Sequence, residues 1–373
     1  MIRIIHILYS FDIGGLETGI VNLVNKMDSN KFSHSICIFS RSIGSLEKIK
    51  NKNIKIFIVN RKFRHDPTVI FRLVSLLKRE NPDLVRTYNW SGMEGIAAAT
   101  LVGIKHIIHS EHGFNLEEIF KQKIRRMLTR KVLFNSCDKV IVVSKFLEKW
   151  LIEKVGLESN KIIYLPNGCD TKFFFPGRDE TKRQQLGIRD NEIIIGTVGS
   201  LKELKDQESL AKAFAKLNKS YNNLKLLIIG DGPKRKDLEI FVGDLGLAGR
   251  IIFTGNVADT AVFYRAMDIF ALTSISENEP NTLLEAMATG LPIVATDVGD
   301  VRYMLDGENG GIVVKPKDIY AIADGIEYFL KNKQAARDKG GFVRKRTEEL
   351  FNLERMVSAY EKLYLDILEN KRS

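Results

Sequence analysis

Short runs of Ile, Val and Leu alternate with longer segments of helical periodicity along this chain, in two successive series. Strands that read as continuous apolar runs belong to parallel sheets covered by helices on both faces. The alternation therefore predicts an α/β protein with two Rossmann-like sheets. The predicted strands lie near residues 2–8, 34–40, 54–60, 83–88, 106–110, 139–143 and 162–165, and near 192–198, 224–230, 251–254, 269–273, 292–296 and 311–314.

The 373 residues exceed the usual size of a single hydrophobic core, which also favours two domains. Turn residues cluster over 166–176, between the two strand series. Lys and Arg exceed Asp and Glu by 28 to 16 in residues 1–175, but number 29 against 30 in residues 176–373, so the net charge of +11 resides in the first half. We predict one domain over 1–173 and a second over 174–352.

Composition limits the class of protein. The 44% hydrophobic and 28% charged content is ordinary for a globular protein, and no apolar run approaches a membrane span. The apolar N-terminus lacks a small-residue cleavage site, so a first strand is expected rather than a signal peptide. Three scattered cysteines indicate reduced thiols. These features predict a cytoplasmic chain.

Two glutamates, Glu277 and Glu285, flank a predicted helix start. Pro280 suits the first position of a helix, and Gly290 followed by Pro292 marks its end. The free amides of Asn281, Thr282 and Leu283 would then attract a phosphate between the two carboxylates. A ligand with a diphosphate between hydroxyl-bearing ends, such as a sugar nucleotide, suits this layout, although two solvated glutamates would give the same spacing.

This segment resembles the signature of the retaining glycosyltransferases of family 4, in which Glu-Gly-Phe-Pro-Asn precedes Glu-Ala-Met-Ala-x-Gly-x-Pro. Glu277, Pro280, Asn281, the run 285–288, Gly290 and Pro292 match that signature. The resemblance extends along the chain and implies the GT-B fold, with two Rossmann-like domains facing a central cleft and a last helix, about 353–373, that packs back on the first domain. Asn278 and Glu279 replace the usual Gly-Phe and border the implied donor-sugar pocket.

Two further loops resemble family motifs. Gly14 and Gly15 follow the first strand and open a helix, where backbone can approach a ligand closely, although a plain tight turn would use the same glycines. The segment 199–205 is similar to Gly-Arg-Leu-x-x-x-Lys, which implies that Lys205 grips the diphosphate. Ser200 stands where the family has an arginine, and Lys202 or Arg302 is expected to supply that charge.

Two other turns complete the implied donor site. Gly230 and Gly232 resemble the family's Gly-Asp-Gly-Pro turn near the nucleotide, and Gly255, Asn256 and Val257 follow the next strand, where backbone groups read the base. Both turns are equally compatible with purely structural roles. Gly-x-Gly-x-x-Gly is missing from the sequence, which argues against a nicotinamide dehydrogenase.

His112 ends a strand of the first domain and is expected to bond the transferred sugar with Glu277, or to share positive charge there; a structural histidine is the alternative. His106, His109 and His112 do not predict a zinc site, because alternation along a strand turns His109 away from the other two. The sequence contains no Asp-x-Asp. We expect neither a metal nor any other cofactor, because Lys205 and the helix amides would take the place of a metal ion at the diphosphate.

Residues 120–134 place six basic residues among apolar ones at helical spacing, including Lys123, Arg126 and Arg130. This pattern predicts either contact with an anionic membrane on its inner face or an ordinary solvated helix. A nucleic-acid partner is not expected, since no recognisable nucleic-acid module accompanies the charge.

The resemblance implies a retaining, metal-independent hexosyltransferase that moves a sugar from a nucleotide donor, in particular a UDP-sugar, to a glycan or polyprenyl-linked acceptor. The segments 12–17 and 21–23 look most like the subgroup that accompanies bacterial exopolysaccharide genes. Glu285 is then expected to hold the ribose. A sugar-nucleotide epimerase and a non-catalytic sugar-nucleotide-binding subunit remain alternatives.

Overall fold

The computed structural model describes residues 1–12, 14–51, 53–61, 66–113 and 124–369. They form two compact units, one of Met1–Gly168 with Leu353–Ser373 and the other of Cys169–Asn352. Sequence composition places the division at 173, but the second unit begins at Cys169. Local bonds explain this: the Cys169 amide donates to the Phe351 carbonyl at 2.8 Å, and Arg344 donates to the carbonyls of Thr171 and Phe174 at 3.0 and 2.7 Å.

The first unit is built around a seven-stranded parallel sheet in the order β3-β2-β1-β4-β5-β6-β7. Its strands are β1 (Ile2–Leu8), β2 (Phe32–Ile38), β3 (Lys55–Ile58), β4 (Leu84–Tyr88), β5 (Ile107–Glu111), β6 (Lys139–Val142) and β7 (Ile162–Tyr164). Its helices are α1 (Gly15–Lys26), α2 (Thr68–Glu80), α3 (Met93–Val102), α4 (Ile124–Asn135), α5 (Lys145–Trp150) and, from the end of the chain, α14 (Leu353–Glu369).

Helices cover both faces of this sheet. Side chains of α2, α3, α4 and α5 share one apolar cluster with strand residues such as Ile5 and Val85. On the other face, α14 buries Tyr364 and its neighbours against Ile4 and Leu84. Glu361 of α14 also accepts the Asp28 amide at 2.9 Å, which fixes the last helix beside α1.

The second unit contains a six-stranded parallel sheet in the order β10-β9-β8-β11-β12-β13. Its strands are β8 (Ile193–Val198), β9 (Leu224–Ile229), β10 (Ile251–Gly255), β11 (Ile269–Leu272), β12 (Ile293–Thr296) and β13 (Ile312–Val314). Its helices are α6 (Glu180–Gln185), α7 (Gln207–Asn218), α8 (Arg235–Asp244), α9 (Ala261–Ala266), α10 (Asn281–Ala288), α11 (Val301–Met304), α12 (Ile319–Lys331) and α13 (Lys333–Leu350).

The two parallel α/β sheets predicted from the apolar runs are confirmed. Strand bounds move slightly; β2 covers Phe32–Ile38 rather than 34–40, because Phe32 pairs with Ile2 at the start of β1. In the described part of the chain, no helix combines the length and apolar character that a membrane crossing requires.

Candidate active site

Glu277 and Glu285 lie on either side of the start of α10. Pro280 occupies the position before the first helical residue, and its carbonyl accepts the amides of Leu283 and Leu284 at 3.0 and 3.3 Å. The Leu283 amide is therefore used inside the first turn, and the expectation that it is free to attract a phosphate is wrong. Gly290, with φ +72°, ends the helix as the sequence predicts.

Backbone packing holds the loop of Glu277 and Asn278 in place. Gly299 has φ +53°, and a Cβ atom there would lie 2.5 Å from the carbonyl oxygens of both residues. The Asp300 amide donates to the Asn278 carbonyl at 2.8 Å. Only glycine fits this contact, so Gly299 positions the loop. Its place after strand β12 is the sequence signal that could have identified it.

Lys205 is paired with Glu277. Its ammonium nitrogen lies 2.5 Å from Glu277 Oε1, and the Ser274 hydroxyl donates to the same oxygen at 2.7 Å. The loop that carries Lys205 is fixed to the segment after β11, since Ile275 N donates to the Leu204 carbonyl at 2.8 Å. The structure thus brings together a cation and a carboxylate that the sequence places 72 residues apart.

The charge expected in place of the family's arginine is not supplied by Arg302 in this structure. Arg302 donates to Asp297 at 2.7 Å and lies 3.9 Å from Glu308, so two carboxylates already engage it. Lys202 is exposed in the loop after Ser200. The Ser200 carbonyl accepts the Gln207 side chain at 3.2 Å, which ties this loop to the start of α7.

The glycines at the ends of β8 and β9 serve loop packing. A Cβ atom at Gly230 would lie 2.1 Å from the Gly199 carbonyl oxygen, and one at Gly232 would lie 2.4 Å from that of Leu201. The Leu201 amide donates to the Asp231 carbonyl at 3.0 Å. The two loops therefore need glycine at these places whether or not a ligand is bound.

The turn at the end of β10 lies beside Arg235 of α8, a residue that sequence reasoning missed. Gly255 has φ +71°, and its missing Cβ would lie 3.3 Å from an Arg235 guanidinium nitrogen. That guanidinium lies over the Phe253 ring, with its carbon atom 5.4 Å from the ring centroid. Asn256 is exposed beside it, while Val257 packs partly against the core. Arg235 donates to Glu239 at 2.7 Å and lies 3.7 Å from Asp231, so it borders the predicted base-reading turn as a paired cation.

Glu285 is half-buried on α10 and has two buried neighbours that the sequence did not predict. The Tyr264 hydroxyl donates to the Thr282 carbonyl at 3.0 Å, in the first turn of α10. Burial raises the pKa of Tyr264, and the nearby charge of Glu285 raises it further. Burial raises the pKa of the Cys169 thiol, and the nearby charge of Glu285 raises it further. Tyr264 and Cys169 therefore stay protonated beside this carboxylate.

In the first unit, α1 starts at Gly15, with Gly14 as its extended N-cap at φ −167°. A Cβ atom at Gly14 would lie 2.4 Å from Glu17 Oε2, which is the far end of a flexible side chain and can move aside. Burial raises the pKa of Glu17. Packing alone therefore does not require glycine at position 14, and the close ligand approach at the Gly-Gly loop stays a prediction.

His112 follows β5, and its amide donates to Asn89 Oδ1 at 2.7 Å. Burial, with the charge of Arg86, lowers the pKa of His112 to about 3. The imidazole is therefore neutral near pH 7, which favours a hydrogen-bonding role over the sharing of positive charge. His112 and Glu277 lie in different units.

The residue before His112 forms a buried ion pair with α4. Glu111 Oε1 lies 2.9 Å from Arg130 Nε, and Arg130 is 2% exposed. Burial would raise the pKa of Glu111, but the charges and hydrogen bonds of Arg130 and His109 together outweigh burial and hold the pKa at about 2. His109 lies 3.6 Å from Glu111 and 2.7 Å from the Thr87 hydroxyl. Within the described ranges, no three His, Cys, Asp or Glu side chains are placed to hold a metal ion.

The basic face predicted for residues 120–134 is partly turned inward. The guanidinium carbons of Arg126 and Arg130 lie 5.0 and 5.1 Å from the Trp90 ring centroid. Arg130 is buried, so the prediction that places it on a solvated face is wrong, whereas Arg126 is half-buried. Arg130 has its charge partner in Glu111. Lys123 lies outside the described residues. The outer face of α4 consists instead of three exposed apolar residues and two exposed basic ones, namely Ile124, Leu128, Val132, Arg125 and Lys131.

Both units of the chain match family models of glycosyltransferases. Residues 13–173 match the family model described as Glycosyltransferase Family 4, and residues 178–346 match Glycosyl transferases group 1. The chain is 25% identical over 349 residues to the Escherichia coli protein named UDP-Gal:alpha-D-GlcNAc-diphosphoundecaprenol alpha-1,3-galactosyltransferase, with 90% of each chain covered.

A second relative is CapM of Staphylococcus aureus, named a capsular polysaccharide biosynthesis glycosyltransferase. It is 25% identical over 381 residues, which cover 92% of this chain and 99% of CapM. Among solved structures, Anabaena HepE in complex with UDP aligns with a TM-score of 0.85 and 19% identity, over 98% of this chain and 100% of HepE. This likeness confirms the GT-B fold.

Proposed function

The chain belongs to the glycosyltransferases, with a Glycosyltransferase Family 4 domain followed by a Glycosyl transferases group 1 domain, and on this premise we propose that it transfers a sugar from a UDP-sugar to a glycan or polyprenyl-linked acceptor. The E. coli relative is named for UDP-Gal and a diphosphoundecaprenol-linked acceptor, and CapM is named for capsular polysaccharide synthesis. These names support a role in bacterial surface polysaccharide synthesis.

The observation that carries the proposal is the ion pair of Lys205 and Glu277 beside the start of α10. A diphosphate is a stronger partner for an ammonium group than a single carboxylate, because it offers more charge and more acceptor oxygens. We infer that donor binding draws Lys205 to the diphosphate. Glu277 is then released to accept hydrogen bonds from the hydroxyls of the transferred sugar.

The remaining contacts follow from the position of α10. Glu285 would accept the ribose hydroxyls, and the amides of Asn281 and Thr282 would meet the diphosphate at the helix start. Neutral His112 would bond a hydroxyl of the transferred sugar from the first unit. These assignments keep the three predicted catalytic residues, Glu277, His112 and Lys205, while the amide of Leu283 drops out.

The proposed reaction retains anomeric configuration and uses no metal. As the bond from the sugar to the diphosphate breaks, negative charge grows on the leaving group, where the Lys205 ammonium can stabilise it. The leaving diphosphate accepts the proton of the attacking acceptor hydroxyl, so the mechanism assigns no protein side chain as a general base. Lys205 and the amides of α10 take the part that a divalent ion plays in other transferases.

We further propose that the protein acts in the cytoplasm and contacts the inner face of the membrane through α4. Ile124, Leu128 and Val132 recur at helical spacing and are 70%, 59% and 67% exposed. Arg125 and Lys131 are exposed on the same helix. An apolar stripe flanked by basic residues suits the interface of an anionic bilayer, where a polyprenyl-linked acceptor is found.

The test is product analysis with purified protein, a panel of UDP- and GDP-sugars, and a polyprenyl-diphosphate-linked sugar. We expect sugar transfer only when acceptor is present, and NMR of the product should show the anomeric configuration of the donor. Conversion of the donor without acceptor would identify an epimerase. Donor binding without turnover would identify a non-catalytic subunit, the alternative suggested by Ser200, Asn278 and Glu279.

A further inference from the structure

Ser274 lies two residues beyond the end of strand β11 and is 1% exposed. Its carbonyl accepts the hydroxyl of Thr296 at 2.7 Å, from the end of the neighbouring strand β12. The hydroxyl of Thr273, the residue before it, donates to the Asp206 carbonyl at 3.0 Å, in the loop that carries Lys205. Bonds to two separate elements therefore fix the backbone of Ser274 in the second unit.

The side chain of Ser274 donates its one hydroxyl proton to Glu277 Oε1 at 2.7 Å. The Lys205 ammonium nitrogen lies 2.5 Å from the same oxygen. Across the described ranges of the chain, both donors to the Glu277 carboxylate bond Oε1, and no side chain or amide bonds Oε2. A carboxylate offers about four lone-pair sites over its two oxygens, so Oε2 keeps its capacity to accept hydrogen bonds from a ligand.

We propose that Ser274 is a positioning residue for sugar transfer, which holds Glu277 Oε1 so that Oε2 meets a hydroxyl of the transferred sugar. This inference rests on the proposed role of Glu277. A bound diphosphate attracts the charged Lys205 away from Glu277, whereas the neutral hydroxyl of Ser274 is buried and stays with the carboxylate. A glutamate side chain loses conformational freedom when it is fixed, so a carboxylate already ordered by Ser274 binds the sugar with a smaller loss of entropy.

The experiment combines steady-state kinetics with calorimetry. Four proteins are compared, namely wild type, Ser274→Ala, Glu277→Ala and the double variant. Transfer is measured with the UDP-sugar that gives product in the panel of donors, and affinity is measured with UDP, which lacks the sugar. We expect Ser274→Ala to lower kcat/KM for the donor by about three- to tenfold, as for one hydrogen bond, and to leave UDP affinity unchanged. The double variant should be no slower than Glu277→Ala, because Ser274 acts through Glu277.

A general structural role would give a different result. If Ser274→Ala weakens UDP binding as much as it lowers kcat/KM, or changes neither, the positioning role is overturned, while the role of Glu277 stands on the loss seen in Glu277→Ala. A double variant slower than Glu277→Ala by the full factor of Ser274→Ala would also overturn it. If Glu277→Ala transfers sugar like wild type, the assignment of Glu277 in the proposed function fails, and the inference fails with it.

Further variants guard against loss of folding, which thermal unfolding followed by circular dichroism measures. Ser274→Thr keeps the hydroxyl and should transfer sugar faster than Ser274→Ala, and equal rates would count against the inference. Thr347→Val removes a buried hydroxyl from α13, where it donates to the Val343 carbonyl at 2.8 Å, and should leave kcat/KM and UDP affinity unchanged. If Ser274→Ala does not fold, Ser274→Cys takes its place with the same expected results, because a thiol is only a weak donor.

Discussion

The ammonium nitrogen of Lys205 lies 2.5 Å from Glu277 Oε1, so two groups expected to face different parts of the donor form an ion pair. The Ser274 hydroxyl donates to the same carboxylate oxygen at 2.7 Å and gives Glu277 a second anchor that does not depend on Lys205. Substitution of either residue should therefore change donor affinity and the rate of sugar transfer by different amounts. The two substitutions should also differ from each other in their effect on donor affinity.

Lys205→Ala should slow transfer by about 100-fold or more, the usual effect of removing one preorganised donor to a developing anion. UDP affinity should fall less, because the charge acts mainly on the diphosphate as the sugar bond breaks. The measurement is kcat together with UDP affinity by calorimetry. Lys219→Ala, at the far end of α7 and about 18 Å away along its axis, is the matched control. Normal turnover in Lys205→Ala would remove this residue from the site.

Glu277→Gln should not weaken UDP binding, in contrast to Lys205→Ala. The amide cannot hold Lys205 by charge, so the ammonium group is available to the diphosphate, and UDP should bind as tightly as in wild type or more tightly. Transfer should fall by about tenfold or more if the carboxylate stabilises the reacting sugar. Parallel calorimetry and steady-state kinetics test this, and weaker UDP binding with unchanged kcat would contradict it.

The fold and the approximate position of the site are predictable from sequence, because periodicity marks strands and helices and the ends of parallel strands gather at one edge of a sheet. Glu277, Lys205 and Glu285 were identified in this way, with the family resemblance. Sequence reasoning did not identify Tyr264 and Gly299. Their contacts depend on which loop or helix lies within a few ångströms of them, and local periodicity contains no information on such neighbours.

Helix α4 shows a second limit of sequence reasoning. Its pattern offers an apolar face and a basic face, and the ordinary expectation is that the apolar one is buried. In the structure Arg130 is buried together with Phe134, because Glu111, Trp90 and Trp150 provide a carboxylate and two aromatic rings around its guanidinium. Those partners come from three other segments, so the sequence of α4 cannot reveal its orientation.

The first unit should lose stability in mild acid. Burial lowers the pKa of His34 to about 4 and that of His6 well below its ordinary value, and the charge of Arg86 lowers both further. Between pH 6.5 and 4 the unfolded chain therefore takes up protons that the fold excludes. Each such histidine lowers the free energy of unfolding by up to about 1.4 kcal/mol per pH unit in that range.

Urea unfolding at pH 7.5 and pH 5 measures this effect. Both tryptophans of the chain, Trp90 and Trp150, lie in the first unit, so their fluorescence reports on that unit. His34→Gln removes one of the titrating groups and should flatten the dependence on pH. The same pH dependence in wild type and His34→Gln would show that this histidine does not contribute.

Transfer should continue in EDTA. The proposed chemistry places Lys205 and the start of α10 at the diphosphate, and the sequence contains no Asp-x-Asp that could hold a divalent ion there. Initial rates with EDTA should match those without it, and added Mn²⁺ or Mg²⁺ should change them little. Loss of activity in EDTA with recovery on addition of either ion would overturn the metal-independent mechanism.

Membrane contact should depend on the outer face of α4 rather than on Arg126 and Arg130. Replacing Ile124, Leu128 and Val132 together with Ser should reduce sedimentation with anionic phosphatidylglycerol vesicles and slow transfer to a lipid-linked acceptor, while UDP affinity stays unchanged. Replacing Arg125 and Lys131 with Ser removes about 1 kcal/mol of attraction for each charge. That loss should be reproduced in wild type by high salt, since exposed charges are screened over about 8–10 Å at ordinary ionic strength.

The matched control for this experiment is Phe71→Ser, which removes an exposed aromatic residue from α2 and should leave vesicle binding unchanged. Arg130→Ser is unsuitable as a test, because it leaves Glu111 charged and buried and should destabilise the first unit by about 3–5 kcal/mol. If wild-type protein ignores anionic vesicles at low salt, the exposed stripe of α4 has no role at a lipid surface. If only the charge variants lose binding, the contact is electrostatic and the apolar side chains do not enter the bilayer.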